Sequence, residues 1–446
     1  MTEKTGSIRT YLQRLRENPL AANEAFDMLR SCLDCSNGNQ GANTYLWQDA
    51  EWSEWELEGA FAGQSNRSAS HASVSQATAS VLPLLGLPVS VKDCFDLEGV
   101  PTSCGSRFYI EKNGAAERDS WLVARLRAMG AVITGKTHLH ALAYGITGEN
   151  RDFGDCVQPR DATALTGGSS SGAAASVQEG SALAAIGTDT GGSVRVPAAL
   201  CGLAGYRASL GRGSWQGGAH LAQSFDTIGW LFRDLEDAPI LGSLFAPHPA
   251  RQDVPEITRF GFVHESFLQD CEPSVLDSQR ECIAELKRLG LHGTSVEVPW
   301  WEEAQEIFAA IQAWEAARIH AGNFAEFEMP IQQRLEWGAG IGDDEIHSLR
   351  ERHEQFRERM ASLLAEHQLI VLPAAPVARL NVGEDHSRTR GRLLRYTTPA
   401  SLGGMPAITV PFAAGGIQII AAREDDQRLL HVAEAIGRAR NSVASS

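Results

Sequence analysis

Apolar residues recur at two spacings along this chain. Ile8, Leu12 and Leu15 fall three to four positions apart, as on one face of a helix; Asn18-Pro19 interrupts the pattern, and Ala25, Met28, Leu29 and Cys32 resume it. Two short amphipathic helices are therefore predicted between residue 7 and about residue 36. Trp47, Trp52 and Trp55 are expected on a further helix packed against the body, since aromatics sharing a helical face belong to cores far more often than to ligand cages. Residues 63 to 80 are rich in Ser, Ala, Gln and His and read as a loop or loosely held helix.

From Leu85 the texture changes. Leu87-Pro-Val-Ser-Val-Lys92 alternates as a strand does, Ser120 to Met129 has helical spacing, Ala131 to Thr134 is a strand, and Leu139 to Tyr144 reads as helical again. A helix of small residues is predicted from Ala173 to Glu179 and a buried strand from Ala182 to Ile186. The span from Ser274 to about Glu366 is mostly helical, and its charge run from Arg350 to Arg359 reads as a solvated face. Strands return at Leu369–Pro373, Ala407–Pro411 and Gly416–Ala421, before a closing helix from Leu429 to Arg438. This alternation predicts an α/β fold: a mixed, mainly parallel central sheet flanked by helices. The late strands are expected to rejoin the same sheet. That leaves one domain over 61–446, with a helical insertion at about 250–366 and an N-terminal helical arm over 1–60.

Composition narrows the function. With 39 Lys plus Arg against 55 Asp plus Glu, the 446-residue chain carries a formal charge of −16. Such a surface repels phosphate backbones and anionic lipid, so no nucleic-acid or membrane partner is expected. No apolar stretch approaches the roughly 18 residues of a membrane span, and the first residues lack an apolar signal core, which points to a cytoplasmic protein. The eight cysteines are scattered and no disulfide framework is expected. Cys32-Leu-Asp-Cys35 has no second pair and reads as chance spacing within a helix rather than a zinc or redox site.

Two glycine-serine runs carry the chemistry: Gly167-Gly-Ser169-Ser170-Ser-Gly172, and Gly187-Thr-Asp189-Thr190-Gly191-Gly192-Ser193-Val-Arg195. A flexible linker would continue polar, whereas Ala173-Ala-Ala follows the first run. Neither run matches a phosphate-binding loop or a dinucleotide fingerprint. Consecutive glycines before Ser193 let backbone N–H groups converge as an oxyanion hole requires, and a serine ending such a turn is a candidate nucleophile. No histidine stands in either run to act as its base. Lys92, on the upstream strand with apolar neighbours, becomes a base once desolvation lowers its pKa; the plainer reading of Lys92 alone is a salt bridge with Asp93.

Taken together these residues resemble the amidase signature family. Its Gly-Gly-Ser-Ser-Ser/Gly-Gly run, its Gly-Thr-Asp-x-Gly-Gly-Ser-x-Arg run and its Lys-Asp pair occur in order, and Ser169 and Ser193 stand 24 positions apart, as the family's two catalytic serines do. Leu84-Leu-Gly-Leu-Pro88, Gly135-Lys-Thr137, the stretch Pro197 to Gly202, Ser224 to Gly229, Tyr396-Thr-Thr-Pro399 with Gly404-Met-Pro406, and Gly416-Ile-Gln418 are similar to its other blocks, so the likeness covers roughly residues 40 to 440.

The resemblance implies a metal-independent amidase that needs no cofactor. Ser193 would be the nucleophile, Ser169 the bridging serine entered by a cis Gly168–Ser169 bond, and Lys92 the base. The N–H groups of Thr190, Gly191, Gly192 and Ser193 would hold the oxyanion. Asp189 and Arg195 would brace the serine loops, with Ser170 a supporting hydrogen-bond partner. The implied substrate is a small amide; the alternatives are the glutaminase component of an amidotransferase or a hydrolase of a carboxylated urea such as allophanate. A catalytically silent scaffold would have lost the triad, and all three residues are present. A homodimer is the common case among soluble oligomers.

This chain departs from the family at Gly205-Tyr-Arg-Ala-Ser209, where many members read Gly-x-Lys-Pro-Thr, and in the short loop Phe412 to Gly416. His138 and His140 lack partners for a metal site and read as structural or pocket-lining. Tyr144, Phe153, Trp215 and Tyr396 are equally candidates for the acyl pocket or the core.

Overall fold

In the computed structural model, which describes residues 7–18, 20–70, 82–245 and 256–444, the strand patterns converge on one large sheet. In chain order the strands are β1 (Tyr45–Trp47), β2 (Pro88–Lys92), β3 (Val132–Thr137), β4 (Val157–Gln158), β5 (Asp161–Leu165), β6 (Ala184–Asp189), β7 (Ala204–Arg207), β8 (Thr227–Phe232), β9 (Arg259–Val263), β10 (His292–Val296), β11 (Leu369–Pro373), β12 (Ala407–Pro411) and β13 (Gly416–Ala421). Eleven of them pair in the order β1-β3-β2-β6-β8-β7-β12-β13-β11-β9-β10, while β4 and β5 form a separate hairpin.

The sheet is mixed and flanked by helices, as expected, but parallel pairing does not dominate. It is confined to β3-β2-β6 toward one end and β11-β9-β10 at the other. The pairings between these groups, and that of β1 with β3, are antiparallel. The three late strands do rejoin the sheet. Side chains alternate across it: Leu369 and Val371 enter one apolar core with Val89, Val91, Ile186 and Ile419, whereas Ile370 and Leu372 enter a second with Ile307, Ile311 and Met360. Strands covered on both faces read as continuous apolar runs.

The two N-terminal helices lie at Ile8–Glu17 and Ala21–Gly38. Trp47 corrects the single Trp-bearing helix: it ends β1, its ring meeting Trp52 edge-on at 5.2 Å, and the helix Ala50–Ser70 carries Trp52 and Trp55, the latter 66% exposed. That helix also takes the first part of the Ser/Ala-rich stretch; residues 71 to 80 lie outside the described residues. The helix expected from Leu139 to Tyr144 is reduced to one 3-10 turn at Ala141–Ala143, because Leu142 and Ala143 both have φ of 56° and break it. The segment from 250 to 366 contributes β9 and β10 to the sheet besides the helices Pro273–Arg288, Ala304–Ile319, Met329–Gly340 and Asp343–His367.

Two features position the site. Lys92 and Asp189 end the adjacent parallel strands β2 and β6, so both face the edge where α/β sheets bind ligands. The helix Ser171–Glu179 begins at the first serine run and packs on β2, β3, β6 and β8. Its residues Ser171 to Gln178 are all buried, and their small size permits that approach: a Cβ on Gly172 would stand 2.1 Å from the Thr44 carbonyl oxygen.

Candidate active site

Lys92 is fully buried, and its Nζ lies 2.8 Å from Ser169 Oγ and 2.7 Å from Thr188 Oγ1. Burial pushes its pKa down to about 8, against the opposing pull of Asp226 and Asp189. The Lys92–Asp93 salt bridge is absent: Asp93 pairs with Lys136 Nζ at 2.6 Å and receives the hydroxyl of Ser103, while Lys136 also donates to the Pro101 carbonyl and to Thr102. A second buried lysine thus takes the adjacent carboxylate and leaves the Lys92 amine among hydroxyls.

Ser169 follows a cis Gly168–Ser169 peptide and is fully buried. Ser170 ties the two runs together: its N–H donates to the Ser193 carbonyl at 3.1 Å, and its hydroxyl bonds both the N–H and the carbonyl of Thr188. Behind them His138 Nδ1 meets Ser171 Oγ at 2.8 Å and Nε2 meets the Gly154 carbonyl at 2.9 Å. Burial lowers the His138 pKa to about 4, so the ring is a neutral strut. His140 Nε2 faces Glu328 at 3.5 Å.

The second run folds around Asp189. Its carboxylate accepts from the N–H groups of Gly192 (2.9 Å), Val194 (3.2 Å) and Arg195 (3.3 Å), from Arg195 Nε and Nη2, and from Arg207 Nη1 at 2.9 Å. Burial alone would raise this carboxyl, but the two guanidiniums and the amide bonds hold it well below the usual carboxylate range. Arg195 also donates to the Thr397 carbonyl, Gln418 Oε1 and Ser401 Oγ. The Thr397 hydroxyl returns to the Gly191 carbonyl. Gly192 has φ of +121°, and a Cβ there would stand 2.6 Å from Thr397 Oγ1, so only glycine fits.

One expected oxyanion donor is already engaged. The Gly192 N–H points to Asp189, whereas the buried N–H groups of Thr190, Gly191 and Ser193 make no hydrogen bond among the described residues. Unpaired buried amides are rare in folded proteins and mark places where a ligand atom is received. The Thr190 hydroxyl donates to Asp226, which also accepts from the N–H groups of Leu221 and Ala222.

Ser193 opens on a narrow cavity of about 10 Å³ lined also by Tyr144, Ile146, Gly191, Gln312, Arg390 and Leu394. Of the four candidate pocket aromatics, Tyr144 alone lines it. Tyr396 bonds Asp270 and meets Phe267 edge-on, Trp215 packs on Phe95 and His220, and Phe153 lies under Arg107. Sequence reasoning did not single out Thr188, Lys136, Arg207, Gln312 or Arg390. Thr188, Lys136 and Arg207 lay within the quoted motifs; Gln312 and Arg390 carried no local signal.

This arrangement can support acyl transfer, and the comparisons show the family. The sequence model of the family described as Amidase matches residues 59–430, and the chain belongs to that family, the amidase signature enzymes, which act on C–N bonds. Among curated relatives, a glutamyl-tRNA(Gln) amidotransferase subunit from Roseiflexus castenholzii is 30% identical over 420 residues, covering 82% of this chain and 85% of that one. A solved structure described as an amidase superposes with a TM-score of 0.83 at 27% identity, covering 98% of this chain and all of that one. The corresponding glutamyl-tRNA(Gln) amidotransferase subunit from Thermotoga maritima gives 0.78 at 25% identity, covering 97% and 94%. Among the described residues no helix is long and apolar enough to cross a membrane.

Proposed function

We propose that the protein hydrolyses a small carboxamide through an acyl-Ser193 intermediate. The reading is carried by one observation: a buried amine, without a carboxylate partner among the described residues, lies 2.8 Å from the hydroxyl of Ser169. Neutral Lys92 takes the proton of Ser169, Ser169 takes that of Ser193, and Ser193 Oγ attacks the amide carbon. The N–H groups of Thr190, Gly191 and Ser193 receive the oxyanion. The proton returns along the same chain to the leaving nitrogen, the C–N bond breaks, and ammonia or an amine departs. Water then gives a proton to the same relay and cleaves the ester, releasing the acid and restoring Ser193. No metal or cofactor enters these steps.

A fluorophosphonate tests the assignment: mass spectrometry of the labelled protein is expected to find the adduct on Ser193 alone. Label on another residue, or none, removes the nucleophile from the scheme.

The pH profile follows from Lys92. The neutral amine is the active form, so with its pKa near 8, kcat/KM falls about tenfold for each unit of pH below that value and levels off above it. A profile flat from pH 6 to 9 would show that Lys92 does not serve as base.

The named relatives favour a second reading, a glutaminase component that passes ammonia to a partner. It requires glutamine turnover that rises when a synthetase-like partner is added.

A further inference from the structure

The cavity beside Ser193 contains a cation without a counter-ion. Arg390 lies on the helix Ser387–Leu402 and lines the cavity together with Ser193, yet its side chain makes no hydrogen bond or ion pair among the described residues. Its Nε is enclosed and unpartnered, while the residue as a whole stays partly open to the cavity. Other donors share this condition. The Tyr144 hydroxyl is buried without a partner, and the Gln312 side chain, 6% exposed, also lines the cavity and makes no hydrogen bond among the described residues.

The surrounding charges deepen the need for an anion. Arg334, from the helix Met329–Gly340, lies over the Tyr144 ring at 4.6 Å and donates to the Tyr144 carbonyl at 2.6 Å, so a second guanidinium stands close to Arg390. Glu328 acts on Arg334 and on His140, but it is not a lining residue. None of the lining residues is acidic. Burial first, then the neighbouring Arg334, lowers the Arg390 pKa to about 10, so it remains a cation at neutral pH. A partly enclosed guanidinium without a carboxylate partner is stabilised when a ligand supplies the negative charge, and its planar fork suits a carboxylate.

We propose that the substrate is a short amide bearing a carboxylate and no ammonium group, with Arg390 receiving the carboxylate while Ser193 meets the amide. This rests on the amidase reading above and narrows its substrate class. Because Arg390 and Ser193 line one narrow cavity, the two functions call for a short spacer between them. The absence of an acidic lining residue disfavours a zwitterion such as glutamine, whose ammonium would meet Arg390 and no carboxylate in the cavity.

Ammonia release distinguishes the cases with matched pairs. Succinamate and malonamate are compared with succinamide and malonamide, which replace the carboxylate by a neutral amide of the same shape. Glutaramate is compared with glutamine, which adds only the ammonium. The monoamides are expected to exceed the diamides in kcat/KM by about 100-fold, and glutaramate to exceed glutamine by at least about tenfold. Arg390→Met is expected to lower the succinamate value by about 100-fold more than it lowers the succinamide value.

Equal rates for monoamide and diamide, an equal loss on both in the variant, or a preference for glutamine each overturn the inference. Should the variant fail to fold, or should no probe be turned over, the wild-type chain still decides. Succinate is expected to protect Ser193 from the fluorophosphonate where succinamide does not, and equal protection overturns the proposal. Failure of the labelling itself would instead remove the amidase reading, so the two outcomes remain separable.

Discussion

Ser193→Ala is expected to lower kcat for any amide the enzyme turns over by about 10⁴- to 10⁶-fold, the loss seen when the nucleophile of a hydroxyl-relay hydrolase is removed. Lys92→Met should approach the same floor. It removes the group that receives the proton and that Ser169 Oγ and Thr188 Oγ1 both contact. On the proposed relay the three side chains act as a unit, so the double variant Lys92→Met/Ser193→Ala should be scarcely slower than Ser193→Ala alone. The single variants separate in their pH response. Lys92→Met should regain part of its rate as rising pH lets hydroxide act as base, whereas Ser193→Ala should stay inactive throughout. Burst and steady-state measurements of ammonia release read both. Retention of wild-type kcat in either single variant would break the scheme.

Elements whose evidence lies in consecutive residues are legible from the sequence. β2, β11, β12 and β13 are unbroken apolar or alternating runs, and the two serine runs carry their chemistry within a few positions of each other. β7 and β10 leave no such trace. Ala204–Arg207 is short and contains a glycine and an arginine, and His292–Val296 lies at the sheet edge with mostly unburied side chains, so neither shows a period of two. Leu139 to Tyr144 misleads because an apolar run does not reveal that Leu142 and Ala143 turn left-handed. In the site, Lys92, Ser169 and Ser193 stand in recognisable blocks. The contacts around them do not, because they join distant segments: Arg195 with Gln418, Arg207 with Met405, and Lys136 with Asp93. Pairing at such distances leaves no spacing to read. The Gly192 amide shows the same limit, since its direction depends on where the Asp189 carboxylate settles.

The largest effect on stability should come from Asp189→Asn. Arg195 and Arg207 are fully buried, and Asp189 is the carboxylate that both engage. Amide replacement keeps the shape but leaves two enclosed guanidiniums without a counter-charge, a loss of about 3–5 kcal/mol by comparison with other broken buried pairs. For a chain of this length that corresponds to a fall in Tm of about 3–5 °C. Arg207→Lys keeps the charge but loses the fork that spans Asp189, Ser401 and Met405, and should lie between the variant and wild type. The pH dependence provides a separate reading. Asp189 titrates lower in the folded chain than in the unfolded one, so its contribution is complete above the ordinary carboxylate range and declines as pH falls from about 4 toward the folded value. Wild-type Tm should therefore fall more steeply with acid than that of Asp189→Asn, and the two curves should converge at low pH. Parallel curves would mean that the carboxylate is not the keystone of the second serine loop. Since the same carboxylate fixes the Gly192, Val194 and Arg195 amides around Ser193, the variant should also react more slowly with a fluorophosphonate at temperatures where it remains folded.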